Sequence, residues 1–163
     1  MAIYMKVPGV DGSVTTKGYE KQIELSSMNF GVFRPVDMTV GNVANRKAGL
    51  PNFQEIAISK VMDESSYGCL KEAVMAQKGA VIEITLVEAG EAPTEFVKYK
   101  LTDTFFSNYS MSGMGGAGLG KEAIQESASL SFSKIEVAFT PAGKDGVAGT
   151  PQRITYDLAT GTK

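Results

Sequence analysis

The sequence contains no histidine and no tryptophan, and its single cysteine is Cys69. Without histidine, the commonest general base, the commonest metal ligand and every histidine-dependent triad are missing. Cys69 cannot form an internal disulfide and has no imidazole to activate it. No catalytic site, metal site or cofactor is therefore expected, and the chain reads as something other than an enzyme. Arginine is scarce too, because only Arg34, Arg46 and Arg153 stand among 16 basic residues. With a formal net charge of −2, the chain lacks the basic, arginine-bearing footprint of a nucleic-acid binder. No apolar run approaches the roughly 20 residues that a membrane helix requires, so membrane insertion is not expected. The opening Met1-Ala2-Ile3-Tyr4-Met5-Lys6-Val7-Pro8 shows no basic leader, apolar h-region or small-residue cleavage site, which reads as no signal peptide.

What remains is a chain of 163 residues with 43% hydrophobic and 21% charged residues, the balance of a soluble globular protein. That length suits one ordinary domain, spanning 1–163. Most of the chain alternates with period two, the signature of strands. Ile3, Met5 and Val7 share a face, as do Ile23 and Leu25. The phase then slips before Met28, Phe30 and Phe33, which predicts a bulge near Ser26-Ser27. Ile56 and Ile58 begin a strand toward Lys60, and Ile82, Ile84 and Leu86 form another before a turn at Gly90. Val97, Tyr99, Leu101, Phe105, Tyr109 and Met111 read as one odd-phase run. Ala128, Leu130 and Phe132 take one phase and Ile135, Val137 and Phe139 the other. A bend near Ser133-Lys134 is therefore expected, where a strand passes from one sheet to the next. Ile154, Tyr156 and Leu158 make the last strand.

One helix is predicted over about 64–78. Asp63 is its expected N-cap, Glu64 suits the dipole, and Gly79 is the stop. Tyr67, Leu70 and Val74, at i, i+3 and i+7, are its expected apolar stripe. The fold class that follows is mainly β, an antiparallel β-barrel or two-sheet sandwich with one flanking α-helix. Residues 34–51 interrupt the pattern with Pro35, Gly41, Asn42, Asn45, Gly49 and Pro51, while carrying Arg34, Arg46 and Lys47. A structureless connection of that length inside a compact domain is usually functional.

Several motifs invite a chemical reading and resist it. Gly113, Gly115 and Gly118 satisfy G-x-G-x-x-G, and Gly120-Lys121 nearly completes a P-loop. Both motifs need a following helix to hold phosphate. Here β alternation resumes near Glu126, and Glu122 stands where magnesium would need Ser or Thr. Glu83, Glu88, Glu91 and Glu95 around one hairpin read as a solvated face rather than glycosidase chemistry. Lys60 and Asp63 read as strand-end and capping residues rather than a catalytic pair. The eight scattered methionines read as packing filler, with a soft contact surface at Met111 and Met114, flanking Gly113, as the alternative.

Ordered short blocks run along nearly the whole chain: Ile3-Tyr4-Met5-Lys6-Val7, Val10-Asp11-Gly12, Ile23-Glu24-Leu25, and Lys60-x-x-Asp63-x-Ser65-Ser66 leading into the helix. Ser110-Met111-Ser112-Gly113, Glu126-x-x-x-Leu130-x-Phe132 and Tyr156-Asp157-Leu158 follow. In this order they resemble the haemolysin-coregulated protein (Hcp) family, the tube subunit of bacterial type VI secretion. Met28-Asn29-Phe30 and Tyr19 stand where family members often carry Trp and His. The resemblance implies homohexameric rings that stack into a hollow tube. It further implies a VgrG spike, a contractile sheath and effector proteins as partners. The protein would pass from the bacterial cytoplasm to the outside without a signal peptide. On this footing loop 34–51, with Arg34, Arg46 and Lys47, is expected to join stacked rings. Asn29 is expected to face the lumen and effectors. A tail-tube protein of a phage or phage-like contractile particle, and a small-ligand-binding β-barrel, are the alternatives.

Overall fold

The computed structural model describes residues 1–37, 47–88, 94–120, 123–141 and 149–162, with only the backbone of Lys47. The strands are β1 (Ala2–Lys6), β2 (Ile23–Glu24), β3 (Ser27–Asn29), β4 (Val32–Phe33), β5 (Val36–Asp37), β6 (Lys47–Ala48) and β7 (Asn52–Phe53). They continue with β8 (Ile56–Val61), β9 (Ala80–Glu88), β10 (Thr94–Gly113), β11 (Ile124–Ser131), β12 (Lys134–Phe139) and β13 (Gln152–Asp157). The helix α1 (Ser66–Met75) is the only one among the described residues. Every strand pair is antiparallel, and the chain is mainly β, as the alternation predicts.

Two sheets share β10. Its first half pairs with β9 and β12, and its second half pairs with β11. One sheet therefore runs β2-β1-β9-β10-β12-β13, and the other β3-β8-β11-β10. The expected bend near Ser133 is present: β11 lies in the second sheet and β12 in the first. The phase slip near Ser26-Ser27 has a different cause from the bulge expected there. Leu25 donates its N–H to Ile3 at 2.9 Å, and Ser26 donates to Ser59 at 2.8 Å. The chain changes partner between those two residues, leaving one sheet for the other. β2 and β3 are thus the two ends of the ladder, joined by chain rather than by pairing, and the sheets do not close.

β10 also corrects the single odd-phase run. Register shifts lie between Leu101 and Thr104 and between Phe106 and Asn108, and Asp103 has a positive φ of 53°. The first shift flips the faces, so Phe106 is buried and Phe105 only half-buried. The second restores the odd phase at the half-buried Tyr109, and Met111, opposite Glu126, is exposed near the strand's end. Between the sheets lies one core in which Met5, Ile23, Ile56, Ile84, Leu101, Leu130 and Ile135 are almost wholly buried. Tyr4, Val14, Tyr19 and Val87 form a smaller cluster.

The helix is shorter than expected and turned the other way. It begins after Ser65, and its C-cap is Ala76. Gly79 does not stop it, but lies against Asp103, where a Cβ would meet backbone at 2.5 Å. Ser66 and Cys69 face the sheets, with Ala73 packed on the core. Tyr67 is 78% exposed and Val74 71%, and Leu70 is exposed as well. Ser66, Cys69 and Ala73 repeat at the same helical spacing as the predicted stripe but are small, so the helix backbone can approach its neighbours closely. Gly68 shows how closely, since a Cβ there would sit 2.5 Å from the Val10 side chain.

Candidate functional site

The segment 34–51, expected to be structureless, is in its described parts a two-stranded arm. β4 pairs with β7, through Val32 opposite Phe53, and β5 pairs with β6, through Val36 opposite Ala48. Two prolines, Pro35 and Pro51, interrupt the ladder because neither can donate to it. The Gly49 N–H bonds to the Pro35 carbonyl at 2.8 Å, and Arg34 Nε donates to the Gly49 carbonyl at 2.6 Å. Arg34 is exposed and stiffens the base of the arm. Lys47 joins the same arm through its backbone, and Arg46 lies outside the described residues. The sequence reading emphasised the arm's positive charge, but its described surface is also apolar. Phe33 and Leu50 are 61% and 71% exposed, and Val32 and Val36 are exposed beside them.

Asn29 lies elsewhere, on the outward face of the sheet β3-β8-β11-β10. Register places Ser27, Ser59, Ser127 and Ser110 directly opposite one another across its four strands. Ser27 and Ser59 share a hydrogen bond of 2.6 Å, as do Ser110 and Ser127 at 2.7 Å. The neighbouring rung is Asn29, Ala57, Ser129 and Asn108. Strand alternation explains the face, since Ile56, Ile58, Ala128 and Leu130 point to the core between these residues. Eight small, neutral side chains therefore make two complete rungs.

On the inner side of the same strands sits a buried charge cluster. Lys60 and Glu126 are opposite each other on β8 and β11. Lys60 Nζ lies 2.8 Å from Glu126 Oε2, 2.8 Å from Asp63 Oδ1 and 3.1 Å from Ser66 Oγ. Asp63 Oδ1 also accepts the Ser65 N–H at 2.9 Å and the Ser65 hydroxyl. Asp63 thus organises the first turn of α1 without being its N-cap, which is Ser65. Burial pushes the Asp63 pKa upward, but hydrogen bonds from Lys60 and Ser65 outweigh it, so the carboxyl ends below its ordinary value. The buried Tyr109 hydroxyl belongs to the same interior. Desolvation, then the Glu126 charge, raise its pKa. Desolvation likewise pushes the Cys69 thiol up to about 11, far from a reactive thiolate. The cavity these groups line is only about 10 Å³, room for a water molecule at most.

Sequence reasoning had Lys60 beside Asp63 but missed Glu126. The missing signal was register, which pairs residues 66 positions apart. After the glycine segment 113–120 the next described element is β11, and no helix follows the segment among the described residues, so the anion-holding element that both nucleotide motifs need is not seen there. Glu83 pairs with Lys98 at 2.9 Å and Glu95 accepts the Tyr19 hydroxyl at 2.9 Å. Glu91 lies outside the described residues.

Residues 4–139 match a family model described as type VI secretion system effector, Hcp. No curated protein matches the sequence. The fold is shared with a solved type six secretion system protein, at 24% identity, TM-score 0.88, and coverage of 99% of this chain and 98% of that one. Hcp1 from Salmonella typhimurium is similar at 20% identity and TM-score 0.77, covering 99% and 97%. The secreted protein Hcp3 from Pseudomonas aeruginosa follows at 15% identity and TM-score 0.58, covering 94% and 96%. Since the family model spans most of the sequence and the fold is that of solved Hcp proteins, this chain belongs to the Hcp family of type VI secretion proteins.

Proposed function

We propose that the protein is a non-enzymatic tube subunit, a single domain over 1–163, whose activity is self-assembly and carriage. Copies form homohexameric rings, rings stack into a hollow tube, and the tube leaves the bacterial cytoplasm carrying effector proteins in its lumen. Its partners are further copies of itself, the VgrG spike, the contractile sheath and those effectors. It needs no nucleic acid and no membrane insertion. Among the described residues, no helix is long and apolar enough to cross a membrane.

The observation that carries the reading is the neutral face built on Ser27, Ser59, Ser127 and Ser110. Small hydroxyl groups keep their water and offer a passing chain neither apolar burial nor ion pairing, which suits the wall of a channel. Asn29 lies on this face and, with Asn108 on the same rung, is one of its two larger contact residues. The same sheet has a free edge at each end among the described residues: β3 pairs only with β8, and residues 105–113 of β10 pair only with β11. Unpaired edges invite a second chain. Two different edges on one subunit suit a heterologous ring that closes by rotation.

The arm is the contact between rings in this reading. Deleting residues 38–48 should leave ring mass unchanged while abolishing tubes seen by negative-stain microscopy. Tubes persisting in the deletion variant would remove the arm from this role.

A further inference from the structure

We infer that the cavity between α1 and the second sheet is the binding site of one structural water, which accepts a hydrogen bond from the Tyr109 hydroxyl and donates one to Glu126 Oε1. Every group involved belongs to one subunit, so the inference goes beyond the tube-subunit reading and does not depend on it.

Lys60 supplies the first half of the argument. Its ammonium has three N–H donors, and three acceptors already take them: Glu126 Oε2 at 2.8 Å, Asp63 Oδ1 at 2.8 Å and Ser66 Oγ at 3.1 Å. No donor is left for the second oxygen of Glu126. That oxygen, Oε1, has no hydrogen-bond partner among the described residues, although Glu126 is only 2% exposed. A buried polar atom without a partner costs free energy, and a charged one costs more.

Register brings the missing donor close. Tyr109 on β10 stands opposite Ala128 and Met111 opposite Glu126, so Tyr109 and Glu126 are diagonal neighbours on the same face, within reach of an aromatic and a long side chain. The Tyr109 hydroxyl feels the Glu126 charge, yet it too is buried without a hydrogen bond of ordinary geometry to any described residue. One group able to donate and one needing a donor therefore face the same space. A polar pair that does not close directly is the setting in which a water bridges.

Both residues line the cavity of about 10 Å³, where Ile58, Phe106 and Ala128 supply apolar wall. A volume of that order takes one water and not two. A water also meets both demands at once, accepting from the phenol while donating to the carboxylate. A metal cation in the same place would be repelled by the Lys60 ammonium, which lies 2.8 Å from the other oxygen of the same carboxylate. Lys60, Glu126 and Tyr109 each adjoin a serine of the outer rung, namely Ser59, Ser127 and Ser110. The water thus completes the polar layer directly behind the neutral face, and ties β10 to the cluster that already joins β8, β11 and α1.

The test is a crystal structure of the full chain that resolves ordered waters, paired with the same structure of Tyr109→Phe. The parent protein should show one electron-density peak within hydrogen-bond distance of both Tyr109 Oη and Glu126 Oε1, and Tyr109→Phe a weaker peak or none. A direct hydrogen bond between the two side chains with no peak, a peak reaching only one of them, or a peak unchanged by Tyr109→Phe overturns the inference. Urea unfolding gives a second readout. Tyr109→Phe should shift the equilibrium toward the unfolded state by about tenfold. In a Glu126→Leu background the same change should shift it by less than about twofold, because the acceptor is then gone. Equal shifts in both backgrounds would mean that Tyr109 acts by packing alone, and the inference would fail.

Discussion

Lys60 on β8 and Glu126 on β11 face one another across adjacent strands and close to 2.8 Å in the interior, each side chain at most 4% exposed. The same ammonium holds Asp63, so a single buried cation ties two strands of the second sheet to the start of α1. On the other side of these strands, one residue away, Ser59 and Ser127 belong to the serine rung. The buried cluster and the neutral face are therefore two sides of one ladder.

Removing the cation should be costly. Lys60→Met leaves two carboxylates in the interior without their partner and should destabilise the protein by about 3–5 kcal/mol, read from urea unfolding. Adding Glu126→Leu should recover part of the loss, because the orphaned charge is then gone. A Lys60→Met protein as stable as the parent would show that water, not Lys60, satisfies the carboxylates.

Acid should act through Asp63. Its pKa is lower in the folded protein than its ordinary value of 3.8, so folding favours the charged form. The resulting stability is present above that ordinary value and is lost as pH falls through the folded pKa. Thermal melts from pH 7 downward should lose this contribution only below about pH 4, and Asp63→Asn should remove it from the profile. An Asp63→Asn profile that keeps the full acid decline would contradict the assignment.

The helix offers a test of which face is buried. Tyr67→Ser and Val74→Ser alter exposed side chains and should change stability by no more than about 0.5 kcal/mol. Cys69, only 1% exposed and with its thiol pushed up to about 11, should resist alkylation at pH 8 until the protein unfolds. Rapid labelling of the native protein would show that α1 does not lie as described.

Asn29→Arg introduces a long charged side chain on the neutral face, where Asn29 stands opposite Ala57. Effector binding should weaken by about tenfold or more, as expected when a bulky charge blocks a contact surface, with ring mass unchanged by light scattering. Unaltered effector affinity would separate Asn29 from cargo.

Strand alternation made the sheets legible because half-buried antiparallel strands must place apolar residues at every second position. Ile56 with Ile58 and Ile82 with Ile84 show it plainly. Alternation cannot say where a strand changes partner, so the shift at Leu25-Ser26 looked like a bulge. Nor could it place the irregularities in β10, of which the one between Leu101 and Thr104 exchanges Phe105 for Phe106 in the core. The helix misled for a related reason: two stripes share one period, and the larger side chains are the exposed ones because close packing on the sheets admits only Ser66, Cys69 and Ala73. Of the candidate surfaces, Arg34 on the arm was legible in the local sequence and Asn29 only through the family resemblance, whereas the four-serine rung and the Lys60–Glu126 pair exist only through register between distant segments.

The measurement that bears most directly on the tube-subunit account is solution mass by light scattering on a size-exclusion column, with negative-stain images of the same peak. The account predicts ring-shaped particles of six times 17.3 kDa. A protein that stays at 17.3 kDa at every concentration would contradict it.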